Sequence, residues 1–293
     1  MRVFVTGATG FVGAAVVREL LGAGHAVVGL ARSEAGAAAL RAAGAAVHHG
    51  ALEDLDSLRR GAADSDGVIH TAFDHDFSKF AANCEQDRVA IGALGEALRG
   101  SGRPLVVTAG LLGLARGRTL LETDPAPPAS VHYPRASEQT AMALAGQGVH
   151  ASVVRLPPSV HGEGDHGFVP MLIGFAREKG VSAYIGEGAN LWSSVHRFDA
   201  ARLFRLALER GARGATYHAA AEEGVPFREI AAAIGRRLGV PVESRPAAHF
   251  AWFGTFAGLD APASSAWTRE VLGWVPGEGR LLEEVDSERY FPA

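Results

Sequence analysis

From Val3 to Leu20 the chain reads VFVTGATGFVGAAVVREL: an apolar run, glycines at 7, 10 and 13, then apolar residues at helical spacing. A strand must therefore end in a tight glycine turn that opens directly into a helix. Each glycine has a distinct physical task. Gly7 permits the turn, Gly10 lets backbone approach an anion closely, and Gly13 lets the helix lie against the strand. The unpaired N–H groups at the helix start attract a diphosphate, and Thr9, Phe11 and Val12 belong to the same loop. The expected ligand is a dinucleotide.

The alternation continues. HAVVGLA, AVHHG, GVIHTAF, RPLVVTAG and ASVVRLP are separated by Ala-, Leu- and Arg-rich helical patterns, among them a helix from about Cys84 to Arg99 and another starting at Pro134. Strand and helix in strict alternation predict an α/β fold, a doubly wound parallel sheet covered on both faces. The pattern changes from PPSVHGEGDHG onward, so residues 1–160 are expected to form the dinucleotide-binding part. Residues 161–293 are expected to form mainly a smaller substrate lobe, with about 190–215 returning to the first part. Two clear helices, FDAARLFRLALERG and PFREIAAAIGRRLG, lie in this half. Arg236 and Arg237, late in the second, offset its terminal dipole.

Charge narrows the partners. With 28 Lys+Arg against 32 Asp+Glu the net charge is −4, and neither sign gathers into blocks. No nucleic-acid or membrane footprint results, so the expected partner is a small-molecule substrate, with a homodimer as a further possibility. The chain opens on a strand-like run without a charged leader, contains no run of about 18 apolar residues, and has a single cysteine, Cys84. These features predict a cytoplasmic protein with Cys84 packed as a small apolar side chain.

About 20 residues past the glycine loop, a carboxylate binds the adenosine ribose when the cofactor is NAD. Arg32 and Ser33 stand there instead, and a guanidinium fork beside a hydroxyl suits the 2′-phosphate of NADP(H). Glu34 is the residue that would restore NAD.

Together, TGATGFVG, GALEDLDSLRRGAADSDGVIHTAF, PLVVTAG, VVRLPPSVHGEGD, VHRFDAARLF and VLGWVP resemble the extended short-chain dehydrogenase/reductase superfamily over nearly the whole chain. The resemblance implies that Ala51 and Leu52 border the adenine and that Thr71, Ala72 and Phe73 line the cofactor. It also implies that Arg155, Leu156, Pro157 and Pro158 pass near the nicotinamide. Ala51 replaces the usual aspartate, and Asp87 stands where asparagine is common. That superfamily uses Ser or Thr, then Tyr, then Lys four residues later. Here Thr108 is the hydroxyl nearest the first position, and with Tyr133 as the tyrosine the lysine position holds Ser137. A second register pairs Glu138 with Arg155, seventeen residues on, and puts Ser130 and Pro134 at the tyrosine and lysine positions. Both registers describe an atypical branch without the usual trio, and proline at a first helical position leaves Tyr133 capping the helix.

Without a lysine, a phenol of ordinary pKa about 10 stays protonated near neutral pH and donates a proton better than it accepts one. The expected activity is therefore reduction by NADPH of small apolar carbonyl or imine compounds, with Tyr133 as proton donor or else a pocket-wall aromatic. His75, in HTAFDHDF, is either a proton relay or part of a polar loop. His161, Asp165 and His166 lack a pattern that fixes coordination, and no metal is expected. Trp192 and His196 flank a pocket or pack a loop, and HFAWFGTFAG forms an apolar pocket wall or an oligomer contact. Two other readings stand beside the reductase: a dinucleotide-binding sensor without turnover, and a nucleotide-sugar epimerase or dehydratase.

Overall fold

In the computed structural model, which describes residues 1–114, 117–131 and 133–291, the first half alternates as its apolar runs dictate. Strands β1 (Arg2–Thr6), β2 (Ala26–Ala31), β3 (Ala46–His49), β4 (Gly67–His70), β5 (Pro104–Gly110) and β6 (His150–Leu156) are interleaved with five helices. These are α1 (Phe11–Gly22), α2 (Glu34–Ala42), α3 (Leu55–Ala63), α4 (Phe80–Leu98) and α5 (Ser137–Gly146). The second half adds β7 (Ser159–His161), α6 (Phe168–Lys179), β8 (Ser182–Tyr184), β9 (Leu191–His196) and α7 (Arg197–Arg210). It ends with β10 (Thr216–His218), β11 (Glu222–Pro226), α8 (Phe227–Leu238), β12 (Val242–Ser244) and short helical turns.

Seven strands form one sheet in the order β10-β6-β5-β4-β1-β2-β3, and every pairing in it is parallel. The doubly wound parallel fold expected from the alternation is thus present. Central strands such as VFV at 3–5 and LVV at 105–107 are buried on both faces, which is why they read as unbroken apolar runs. One face is covered by α1, α2 and α7 through Val16, Leu20, Leu40 and Phe204. The other is covered by α3, α4 and α5 through Leu58, Ile91, Leu94 and Leu144. Strand order reverses at β1, between β4 and β2, and in open α/β sheets ligands bind outside the carboxyl ends of the strands at that reversal.

The lobe is built from a three-stranded sheet β11-β9-β7, the pair β12-β8, and α6 with α8. Its core holds Trp192, Phe227, Ile230, Phe250 and Phe253. The chain crosses back at α7, which packs against α1, and at β10, the seventh strand of the large sheet. Helix α8 ends at Gly239 with φ 67°, the left-handed stop that glycine supplies.

Two helices start at places other than the sequence patterns suggest. Helix α4 begins at Phe80, about a turn before Cys84, because the Asp76 side chain caps the turn Phe77–Lys79 that runs into it. Helix α5 begins at Ser137 rather than Pro134. Ahead of it Ser130 and Tyr133 exchange backbone hydrogen bonds of 2.9 and 3.1 Å, closing a tight turn that leaves residues 134–136 outside the helix. Tyr133 therefore precedes the helix by four residues and does not cap it.

Candidate active site

The site is assembled where β1 and β4 end. Gly7 has φ 67°, and a Cβ there would lie 2.6 Å from the backbone N of Ala72. A Cβ on Gly13 would lie 2.0 Å from the carbonyl oxygen of Gly7 and 2.9 Å from Thr71 Oγ1. Loop, helix and the segment after β4 are thus in direct backbone contact, which only hydrogen side chains permit. Thr71 locks the arrangement by donating its hydroxyl to the Thr6 carbonyl at 2.7 Å. Gly10 is the N-cap of α1 without a side-chain cap, and no acidic residue lies in the first turn. The N–H groups around Phe11, Val12 and Gly13 remain free to meet an anion.

Arg32 follows the last residue of β2 and is exposed. Glu34 lies instead against Arg41 at 3.8 Å and His49 at 3.9 Å. Ser33 caps α2 by accepting the Gly36 N–H at 3.2 Å, which leaves its hydroxyl proton available. Leu52 is half-buried against the α3–α4 side of the core, and Pro157 is buried just after β6.

Beneath the loop runs a buried polar chain. Thr6 Oγ1 and His70 Nδ1 share a 2.8 Å hydrogen bond, His70 Nε2 meets Asp87 Oδ1 at 2.9 Å, and Ser137 donates its hydroxyl to Asp87 Oδ2. Burial raises the Asp87 pKa, but His70, Arg135 and Ser137 together outweigh it and hold the carboxyl below its ordinary range. Thr108 belongs to this interior: its hydroxyl donates to the His70 carbonyl at 2.7 Å, joining β5 to β4.

Tyr133 is half-buried and packs with Leu111, Leu114 and Leu120, its ring facing Gly113. Burial pushes its pKa above the ordinary tyrosine value, while Arg135 works in the opposite sense. Arg135 stacks on Phe73, with Cζ 4.4 Å from the ring centroid. His75 touches the edge of Phe73 at 5.2 Å. The pKa of His75 is lowered by loss of solvent, and further by the charges of Arg135 and His166. His166 lies edge-on to Phe11 at 5.7 Å, next to the glycine loop, while His75 and Arg135 meet on the Phe73 ring. Arg135 was not among the residues singled out from the sequence, although its position two residues after Tyr133, where a cation was sought four residues on, marks it.

The lobe meets the loop after β4 through aromatic side chains. Phe77 stacks on Trp252 at 5.0 Å and meets Phe256 at 5.7 Å and Phe168 at 6.0 Å. Trp192 is fully buried in the lobe core, with Nε1–H donating to the Leu259 carbonyl at 3.2 Å. His196 is buried beside His161, with ring centroids 5.5 Å apart. Asp165 accepts from the Tyr290 hydroxyl at 2.8 Å and from the Gly167 N–H at 2.7 Å. Among the described residues no cluster of three metal-ligating side chains occurs, and no helix is long and apolar enough to cross a membrane. Cys84 is buried, and its thiol pKa is pushed up to about 11, chiefly by burial.

A separate groove of about 340 Å³ lies beside β10, lined by Glu122, Asp124, Glu138, Arg155 and Trp267 among others. Its charged groups are occupied: Glu122 by Thr268, Asp124 by Arg118, and Glu138 by Arg155 in a two-pronged pair of 2.6 and 2.7 Å.

The sequence model described as the NAD dependent epimerase/dehydratase family matches residues 3–220. A Schizosaccharomyces pombe protein, Uncharacterized protein C2A9.02, is 52% identical and aligns over 99% of this chain and 100% of its own. A Stigmatella aurantiaca protein, 4-hydroxy-2-methyl-3-oxo-4-farnesyl-3,4-dihydroquinoline-1-oxide ketoreductase, is 30% identical over 83% of this chain and 75% of its own. Among solved structures, a dTDP-glucose 4,6-dehydratase from Streptomyces venezuelae with NAD and TYD bound superposes with a TM-score of 0.80. It is 22% identical and covers 99% of this chain and 97% of its own.

Proposed function

Since the chain belongs to the NAD-dependent epimerase/dehydratase family, we propose that it is an NADPH-dependent reductase of small apolar carbonyl or imine compounds. The observation that carries this reading is the pairing of an uncontested α1 N-terminus with an exposed Arg32 whose neighbouring carboxylate is turned to Arg41 and His49. The glycine loop fits a diphosphate because α1 starts at Gly10 with no side-chain cap and no acidic residue in its first turn, and Gly10 has no side chain to stand between the backbone N–H groups and an anion. Phe11, Val12 and Gly13 would hold the diphosphate through backbone N–H groups, Arg32 and Ser33 the 2′-phosphate, and Thr71, Ala72, Phe73 and Pro157 the remaining length. When bound, the reduced dinucleotide supplies hydride.

The chain's own residues supply the proton and the dry surroundings. Tyr133, kept protonated by burial, donates its phenolic proton to the substrate oxygen. Phe73, Phe77, Trp252 and Phe256 present a partly exposed aromatic surface that favours an apolar substrate. The ketoreductase relative supports carbonyl reduction. Epimerisation or dehydration of a nucleotide sugar begins by oxidising an alcohol, and a phenol with a raised pKa is a poor base for that step.

The test is direct. Purified protein mixed with NADPH and a panel of activated ketones, cyclic imines and enones is expected to show substrate-dependent loss of reduced-nicotinamide absorbance. Tyr133→Phe is expected to lower that rate at least about tenfold. Tight NADPH binding with no loss for any substrate would instead leave a dinucleotide sensor.

A further inference from the structure

Helices α1 and α7 lie side by side with their starts at the same end. Phe11, the first residue of α1, carries the Arg197 guanidinium over its ring at 5.2 Å, and two turns further on Arg205 of α7 meets Glu19 of α1 at 2.8 Å. Arg197 opens α7, and its second ring contact is Phe198 at 4.8 Å. Aromatic faces hold a guanidinium in place without neutralising it. Its Nε–H is buried without a hydrogen-bond partner, and among the described residues no carboxylate pairs with Arg197. Asp199 is taken by Arg202 and by the Gly277 and Glu278 N–H groups, and Asp165 by Tyr290 and the Gly167 N–H. The Gly162–Gly167 loop wraps the arginine stem: a Cβ on Gly162 would lie 3.4 Å from Arg197 Cγ, and one on Gly164 3.9 Å from Nη1. Tyr290 fixes that loop by accepting the Gly162 N–H at 3.1 Å. Both helix starts carry partial positive charge. Asp199 answers the α7 end, whereas the α1 end has neither a side-chain cap nor an acid in its first turn. A cation held at that end is repelled in the resting protein, and an anion beside it removes the repulsion.

We propose that Arg197 is a phosphate-binding residue of the cofactor site, supplied by the second half of the chain to the diphosphate that the α1 N–H groups receive. The inference rests on the dinucleotide reading of the glycine loop. Backbone N–H groups meet some diphosphate oxygens at the helix start, and the unspent guanidinium fork meets others. Two arginines then divide the cofactor between them. Arg32, exposed after β2, faces the 2′-phosphate that distinguishes NADPH from NADH, and Arg197 faces the diphosphate that both carry. Because Arg197 opens the helix by which the late chain packs against α1, the bound diphosphate also draws that seam together.

Calorimetry on the full chain separates the two roles with NADPH, NADH, ADP-ribose, which keeps the diphosphate without the nicotinamide, and adenosine 2′-monophosphate, which keeps the 2′-phosphate alone. Arg197→Gln is expected to weaken the first three at least about tenfold each and to leave the fourth unchanged. Should that variant not fold, Arg197→Met keeps an apolar stem against Phe11 and Phe198 and carries the same expectation. An unchanged dissociation constant for ADP-ribose in a folded variant overturns the proposal and leaves Arg197 a packing residue. A loss confined to the ligands with a 2′-phosphate overturns it too, as does an effect seen only when UDP-glucose is titrated into the NADPH-loaded protein, which would assign the guanidinium to a substrate phosphate. Wild-type protein that binds none of these ligands retires the dinucleotide reading itself, a result distinct from a wild type that binds and a variant that binds equally well.

Discussion

Gly13 leaves no room for even a methyl group, since its Cβ would sit 2.0 Å from the Gly7 carbonyl oxygen. Gly13→Ala is expected to lose about 1 to 3 kcal/mol of stability from overpacking and to weaken NADPH binding at least about tenfold. Urea unfolding and calorimetry check the two parts, and an unchanged affinity would remove the loop from the cofactor site. Arg32→Ala isolates one charge: NADPH affinity should fall about ten- to a hundredfold while NADH affinity stays level. Equal effects on both would dissociate Arg32 from the 2′-phosphate. Asp87 tests the buried chain beneath. Asp87→Ala strands His70 and Ser137 and should cost about 3 kcal/mol, whereas Asp87→Asn should cost about 1, since an amide accepts from Ser137 and donates to the other His70 tautomer. These residues differ in legibility. The packing of the glycines and the exposed place of Arg32 after β2 were readable because local backbone geometry and strand ends act over a few residues. The place of Arg135 was not, because its contact with Phe73 exists only once the chain has folded.

At the scale of elements, α5, β6 and β10 are joined by one guanidinium. Arg155, 1% exposed, grips Glu138 with two hydrogen bonds, the Asp124 carbonyl at 2.7 Å and His218 Nε2 at 3.0 Å. The seventeen-residue spacing of Glu138 and Arg155 was visible in the sequence; that it encodes a buried ion pair between a helix and the next strand is now explicit. Arg155→Leu should cost about 3 to 5 kcal/mol by leaving Glu138 charged and unpaired. The double variant Arg155→Leu with Glu138→Leu should recover most of that loss in a urea titration. If it recovers nothing, the pair acts through the Asp124 and His218 contacts instead. Helix α5 starts at Ser137 and not at Pro134 because helix-start rules do not register the Ser130–Tyr133 turn or the long-range Ser137–Asp87 hydrogen bond.

At the scale of the molecule, lobe and sheet meet through α7 and through the aromatic contact of Phe77 with Trp252. The buried Asp199 accepts the Gly277 N–H at 3.0 Å and, with Trp274 donating to its carbonyl at 2.9 Å, fastens the late chain to α7. Folding also buries neutral histidines on both sides of this junction. Burial lowers the pKa of His161 to about 4 and that of His218 to about 3. For a base with a depressed folded pKa, the unfolded chain takes up the proton first, so stability is lost as pH falls below the ordinary value of about 6.5. Each contributes up to about 1.4 kcal/mol per pH unit. Urea midpoints should therefore drop between pH 7 and pH 5, before carboxylates titrate, and His218→Gln, which keeps an acceptor for Arg155 and a donor for Ser264, should flatten the slope. A level profile would mean that these rings are protonated or hydrated in the folded state.

The order of strands and helices, the parallel sheet and the glycine cradle were determined by the amino-acid sequence alone, because periodicity, glycine and helix ends act over a few residues. The surroundings of Tyr133 were decided by the tertiary structure. A phenol's acidity depends on how much water it loses and on which charges act on it, and here burial raises the pKa while charged residues from separate elements act in both senses. No spacing rule specifies such a sum of fields; it exists once the elements pack.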